Sequence, residues 1–287
     1  MTKRIIISMA LVLFAVSSQA QLLWRVSGKG LVKDSYIFGT MHTAPESLID
    51  EVAGLNDAIK HCDIAISESG NDGLNPMEKK EFLRKMIAPT DSTLDNLLSP
   101  EDYRIVEAVV DSSFSSQGLS LAQLRFLRPN FIGYLLDFSE AIDKGKGFKS
   151  LDDHVLDRAV AAGHPTMGLD SIELVMENFC NCPLVDQAAW LLEQCKNDYS
   201  QEKEDETDAY LRQEAIETFE DVMANELDEK FHELMVYSRN RFWMTKLVPV
   251  LASGKSCLVV VGIGHLPSEQ GLLQLLRNEG YTVEPAK

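Results

Sequence analysis

The sequence predicts an α/β fold with a mixed, largely parallel central sheet, and three observations predict it. Short apolar runs bounded by turn residues gather near the two ends of the chain. One of them, 258–261, is continuously apolar, as suits a strand covered on both faces. The stretches between repeat their apolar residues at helical spacing. A sheet built from both chain ends, with helical insertions around 76–145 and 171–252, satisfies all three.

Taken in order, residues 1–20 read as an export signal. Lys3 and Arg4 precede the apolar run 5–16, and Ser18-Gln19-Ala20 places small residues where a signal peptidase cuts. The run is too short for the ~20 residues a bilayer demands, and no later segment is long and apolar enough to span. Cleavage after Ala20 leaves 21–287 as a single α/β domain in the periplasm or outside the cell. Strands are expected at 22–26, 36–38, 63–67 and 258–261. Two more, at 166–169 and 281–284, each follow a helical pattern ending in Gly163 or Gly280, where a C-cap glycine belongs. Helices are expected at 77–87, 101–110, 119–138, 172–179, 185–195 and 209–251. Ser99-Pro100-Glu101-Asp102 reads as a helix start, with a capping serine and a proline in the first turn.

Charge narrows the partners. With 27 basic and 44 acidic residues the chain carries −17, so a nucleic acid is repelled over most of the surface. Residues 201–230 hold 12 acidic and 3 basic side chains and read as a solvated helical face. In an oxidising compartment one of Cys180 or Cys182 is expected to pair with Cys195. Cys62 and Cys257 open apolar runs and read equally well as buried thiols. Cys180-Asn181-Cys182 lacks the second pair or nearby histidine that would complete a zinc set.

The chain has no His-Glu-x-x-His, no Gly-x-Ser-x-Gly and no phosphate loop. It has instead two similar tetrads, Gly39-Thr40-Met41-His42 and Gly262-Ile263-Gly264-His265, each just after a strand-like run. Ligands of open α/β sheets bind beyond the carboxyl ends of the strands, and a glycine there is expected to let the backbone turn sharply. If the two strands are neighbours, His42 and His265 converge, and the strand at 63–67 delivers Glu68 beside them. Two imidazoles and a carboxylate make a three-ligand set for a divalent transition metal. His61, His154, His164 and His232 read as surface or capping residues. Arg239, among apolar neighbours, needs a carboxylate or carbonyl partner. It is expected to orient Glu68 or Asp170, to bind a substrate carbonyl, or to tie the helical insertion to the sheet as a structural ion pair.

The run Tyr36-Ile37-Phe38-Gly39-Thr40-Met41-His42-Thr43, then Ile66-Ser67-Glu68, Arg239-Asn240 and Val259-Val260-Val261-Gly262-Ile263-Gly264-His265-Leu266, with Gly271 and Gly280-Tyr281, resembles the TraB/GumN family. The Tiki metalloproteases are related to that family. The resemblance covers nearly the whole mature chain. It implies a fold shared with erythromycin-esterase-like and haem-binding ChaN-like proteins. It also implies an active centre of two Gly-x-x-His motifs and a glutamate, and metal-dependent peptide hydrolysis in the Tiki branch. Many members carry Gly-Leu-Glu where this chain has Gly168-Leu169-Asp170, a shorter carboxylate. The expectation is an exported, metal-dependent peptidase acting on a peptide or protein, with His42, Glu68 and His265 on the metal, or Glu68 as general base. Arg239 is expected to be catalytic with them, and Asn240 and Asp170 to contact the substrate or support the ligands. The alternatives are a non-catalytic haem-, peptide- or partner-binding protein, and a plain hydrolase of esters or lactones.

Overall fold

The computed structural model describes residues 22–69, 76–139, 149–196, 207–214 and 229–286. The expected signal at 1–20 and most of the acidic stretch at 201–230 lie outside the described residues.

Six strands form one sheet: β1 (Leu23–Gly28), β2 (Ser35–Thr40), β3 (Ile64–Ser67), β4 (Thr166–Gly168), β5 (Cys257–Gly262) and β6 (Tyr281–Pro285), in the order β4-β3-β5-β2-β1-β6. The four strands β4, β3, β5 and β2 are parallel neighbours, while β1 pairs antiparallel with both β2 and β6. The expected strands are all present, shifted by a residue or two at their ends. β5 explains the parallel centre. Its residues Cys257 through Val261 are all at most 1% exposed, so side chains pointing to either face are covered.

The main core joins this sheet to the helices Leu55–His61, Leu151–Ala161, Ser238–Ala252 and Leu272–Asn278. A second apolar cluster lies wholly in the helical insertions, where Val106, Val110, Ile132 and Leu136 meet Leu191 and Cys195.

Three expectations need correction. The helix expected over 119–138 is two helices, Leu121–Leu124 and Pro129–Asp137, because Pro129 lacks an N–H and holds Arg128 extended. The helix expected over 209–251 is also broken. Gln213 takes a left-handed φ of 61°, and a π-helical turn at Glu233–Tyr237 precedes the Ser238–Ala252 helix. Finally, all five cysteines are free thiols. Cys182 precedes the Leu184–Lys196 helix and Cys195 lies near its far end. At a rise of 1.5 Å per residue that separation is about 16 Å, well beyond bridging reach.

Candidate active site

Each of the four parallel strands ends at one chemistry-bearing side chain. Across the sheet these are Asp170 after β4, Glu68 after β3, His265 in the 3-10 turn Ile263–His265 after β5, and His42 after β2. A parallel sheet puts all its carboxyl ends on one edge, so residues more than 200 positions apart become neighbours. Gly262 marks the meeting point. A Cβ placed there would sit 3.2 Å from Glu68 Oε1, 3.7 Å from His265 Cδ2 and 4.0 Å from His42 Nε2.

The two motif glycines earn their places by space, which corrects the expectation of a special turn: neither has a positive φ. At Gly39 a Cβ would stand 2.6 Å from Ile263 Cδ1 and 2.7 Å from Leu266 Cδ1. The first motif therefore packs backbone-close against the turn of the second.

Arg239 comes from the Ser238–Ala252 helix and spans the site. Its Nε and Nη2 donate to Asp170 Oδ1 and Oδ2 at 3.1 and 2.7 Å. Nη2 also reaches Glu68 Oε2, and Nη1 donates to Met235 O at 3.1 Å and to His265 Nε2 at 3.2 Å. Of the partners anticipated for Arg239, both carboxylates are taken at once. Glu68 Oε1 accepts the Gly262 N–H at 2.8 Å. Burial alone would raise the Glu68 carboxyl, but the charges of Arg239 and His42 and the Gly262 N–H outweigh it, leaving it well below the ordinary range.

The two histidines differ electrically. His265 is buried, with Trp243 stacked 4.2 Å from its ring centroid. Burial, with Arg239 adding to it against the pull of Glu68, pushes His265 down to about 3, so the ring is neutral. Its tautomer follows from Asn240. Asn240 Nδ2 donates to the carbonyls of His265 and Gln270 at 3.1 and 2.9 Å, which leaves Oδ1 to accept from His265 Nδ1 at 2.7 Å. The lone pair is then on Nε2, inside the site. His42 is 41% exposed. Burial would lower it, but the hydrogen bond and charge of Asp152 and the charge of Glu68 prevail, carrying it to about 9. Its Nδ1 lies 2.6 Å from Asp152 Oδ2, and Thr40 Oγ1 donates to Asp152 Oδ1 at 2.6 Å.

The sequence model of the TraB/PrgY/gumN family matches residues 22–285, which takes in every strand of the sheet and all six anticipated site residues. The chain belongs to the TraB/PrgY/gumN family. Comparison with curated proteins and with solved structures gives no match.

In this TraB/PrgY/gumN chain, His42, Glu68, His265, Asp170, Arg239 and Asn240 all cluster beyond the carboxyl ends of the parallel strands. Two partners were not anticipated. Trp243 donates its indole N–H to Asp170 Oδ1 at 2.7 Å while stacking on His265. Its i+4 spacing from Arg239 was the available signal. Asp152 had a weaker one. It sits in the first turn of the Leu151–Ala161 helix beside the Ser150–Asp153 capping box, and the Leu151 N–H donates to His42 O at 3.1 Å. A capping box marks a helix start, and nothing local says that the neighbouring carboxylate turns inward to a histidine 110 residues away.

Proposed function

We propose that this protein is an exported hydrolase of peptide bonds whose chemistry is done where β2, β3, β4 and β5 end, with a divalent transition metal held by His42, Glu68 and His265. The observation that carries the reading is the convergence of His42 Nε2, the His265 ring and the Glu68 carboxylate around Gly262, with His265 Nε2 3.8 Å from Glu68 Oε1. The donor set fits an ion: each ring has its Nδ1 tied back, to Asp152 or Asn240, which is how metal-binding imidazoles are oriented. As placed, no three His, Cys, Asp or Glu side chains among the described residues stand ready to hold one. The guanidinium of Arg239 fills that space, so Nη1 must leave His265 Nε2 for the set to close.

A bound ion would supply polarisation of the scissile carbonyl and a water of lowered pKa. The protein's own groups do the rest. Asp170 holds the Arg239 guanidinium by two parallel bonds, so that the Nη1 N–H released from His265 Nε2 is the donor available to charge developing on a carbonyl oxygen. Asp152 fixes the His42 ring, and Asn240 fixes the His265 tautomer. Glu68, kept ionised by Arg239, is a ligand or accepts the proton of the attacking water.

A second reading has a specific observation behind it. Because Arg239 already donates to His265 Nε2, the same constellation supports metal-free hydrolysis in which Arg239 polarises the substrate and His42 transfers the proton. Metal content after purification, with peptide cleavage before and after chelation, separates the two. Bound metal with chelator-sensitive cleavage is the expected result. Metal-free cleavage transfers the chemistry to Arg239 and His42, and absence of both leaves a binding protein. Glu68→Gln divides its two roles: loss of metal marks a ligand, and retained metal without cleavage marks a base.

A further inference from the structure

A cavity of about 500 Å³ opens between the start of the Leu184–Lys196 helix and the π-helical turn Glu233–Tyr237. Its walls combine two kinds of surface. Pro183, Trp190, Leu234 and Tyr237 are apolar or aromatic, and Asp186, Glu229, Glu233 and Lys230 are charged. The Trp190 indole is fixed by edge-to-face packing on Phe231, centroid to centroid 5.3 Å at 81°.

We propose that this cavity is a subsite for a basic side chain, a lysine or arginine of the bound peptide. Such a side chain is amphipathic in the way the cavity is: an apolar stem suited to an aromatic wall and a cationic head suited to carboxylates. The protein already shows the pairing with its own residue. Lys230 Nζ lies 3.2 Å from Asp186 Oδ2 while its side chain is 77% exposed, a surface contact that an incoming ammonium replaces at little cost. Glu233 is shared with Arg241, whose side chain is also half-exposed. With Arg241 on Glu233 and Lys230 on Asp186, three carboxylates meet two cations, and the net negative charge disfavours an anionic ligand.

The cavity is joined to the active centre through two segments. Tyr237 and Leu234 belong to the turn whose Met235 carbonyl holds Arg239 Nη1 at 3.1 Å. Gln270, another wall residue, has its carbonyl bound at 2.9 Å by the same Asn240 amide that binds His265 O. A π-helical turn of this sort offsets the helix register, and here it serves the cavity on one side and Arg239 on the other.

The peptide as source of the cation rests on the peptidase reading, so the test measures binding without turnover. The full-length, metal-free protein is titrated with N-acetyl-Gly-Lys-Gly-amide, with the same peptide carrying norleucine for lysine, and with cadaverine, by calorimetry and indole fluorescence. The lysine peptide is expected to bind at least roughly tenfold more tightly than the norleucine peptide. The double variant Glu229→Gln, Glu233→Gln is expected to remove most of that difference. Trp190→Phe keeps the packing on Phe231 and should lose the fluorescence change while calorimetry still reports binding. Equal binding of the two peptides, or discrimination unchanged in the double variant, overturns the subsite. Cadaverine binding as tightly as the lysine peptide overturns the peptide as its source. None of these results depends on catalysis, and a protein that never cleaves a peptide can still pass them.

Discussion

Removing Arg239 is the sharpest physical test of the candidate site. Its side chain is 12% exposed and lies between Glu68 and Asp170, at 14% and 9%. Arg239→Ala leaves two neighbouring carboxylates buried without their cation, a change that costs about 3–5 kcal/mol in comparable buried pairs. Acid separates this cause from lost packing. In the natural protein the Glu68 carboxyl is held below its ordinary value, so its contribution is present above about pH 4.5 and is lost as pH falls through the folded value. In the variant, burial and repulsion by Asp170 are opposed only by the His42 charge and the Gly262 N–H, so Glu68 rises and acid relieves the strain by protonating it. Urea unfolding followed by tryptophan fluorescence should show the gap between the two proteins at about pH 7 shrinking by at least about 1 kcal/mol near pH 5. A gap below about 1 kcal/mol at neutral pH, or one that widens in acid, refutes the buried-charge argument.

Gly39→Ala forces a Cβ into contact with the ends of Ile263 and Leu266 and should cost about 1–3 kcal/mol, whereas Gly264→Ala, with nothing within 4 Å, should change stability by less than about 1 kcal/mol; equal midpoint shifts in urea would remove the packing argument. Asp152→Asn takes away the hydrogen bond and charge that hold His42 near 9, so its NMR titration in metal-free protein should fall toward the ordinary 6.5. In the natural protein the raised value stabilises the fold fully below about pH 6.5, and this is lost as pH rises through 9; the variant's melting temperature should lack that decline. Burial pushes the thiols of Cys62, Cys182, Cys195 and Cys257 up to about 11, so timed alkylation of native protein should label Cys180, only partly buried, before the others. A peptide map with two of the five linked would contradict the free-thiol structure.

Much of the site was legible because it follows strand geometry. A continuously apolar run with a Gly-x-x-His tail says where the strand ends and which side chain lies beyond it. Two such runs in one parallel sheet fix the meeting of His42 and His265 once they are neighbours, as β2 and β5 are. What local pattern does not carry is the reason for a glycine when it lies in the partner across the sheet. Gly39 is read locally as a turn, yet its need comes from Ile263, more than 200 residues away. Asp152 is illegible for the same reason: it looks like one more acidic residue of a helix start. Closeness in sequence does not make the cysteines close in space, because an intervening helix keeps Cys182 and Cys195 apart.

The division of labour between sheet and insertions explains why both are needed. The sheet supplies Glu68, His42 and His265 at positions fixed by the strand ladders. None of these groups is correctly set by the sheet alone. His42 takes its charge state from Asp152 at the head of the Leu151–Ala161 helix. His265 takes its tautomer from Asn240, and Glu68 its ionisation from Arg239. Asn240 and Arg239 are successive residues of one helix, so a single helical turn sets both the proton on an imidazole and the charge on a carboxylate. That helix is anchored by Asp170, whose side chain binds Arg239 and Trp243 and whose carbonyl accepts Lys246 Nζ at 3.0 Å. A glutamate in place of Asp170 would carry its carboxylate one methylene further, toward space that the Arg239 guanidinium and the Trp243 indole already occupy. The shorter side chain therefore matches a guanidinium drawn close to β4, and the reach of Arg239 toward Glu68 and His265 is set from there.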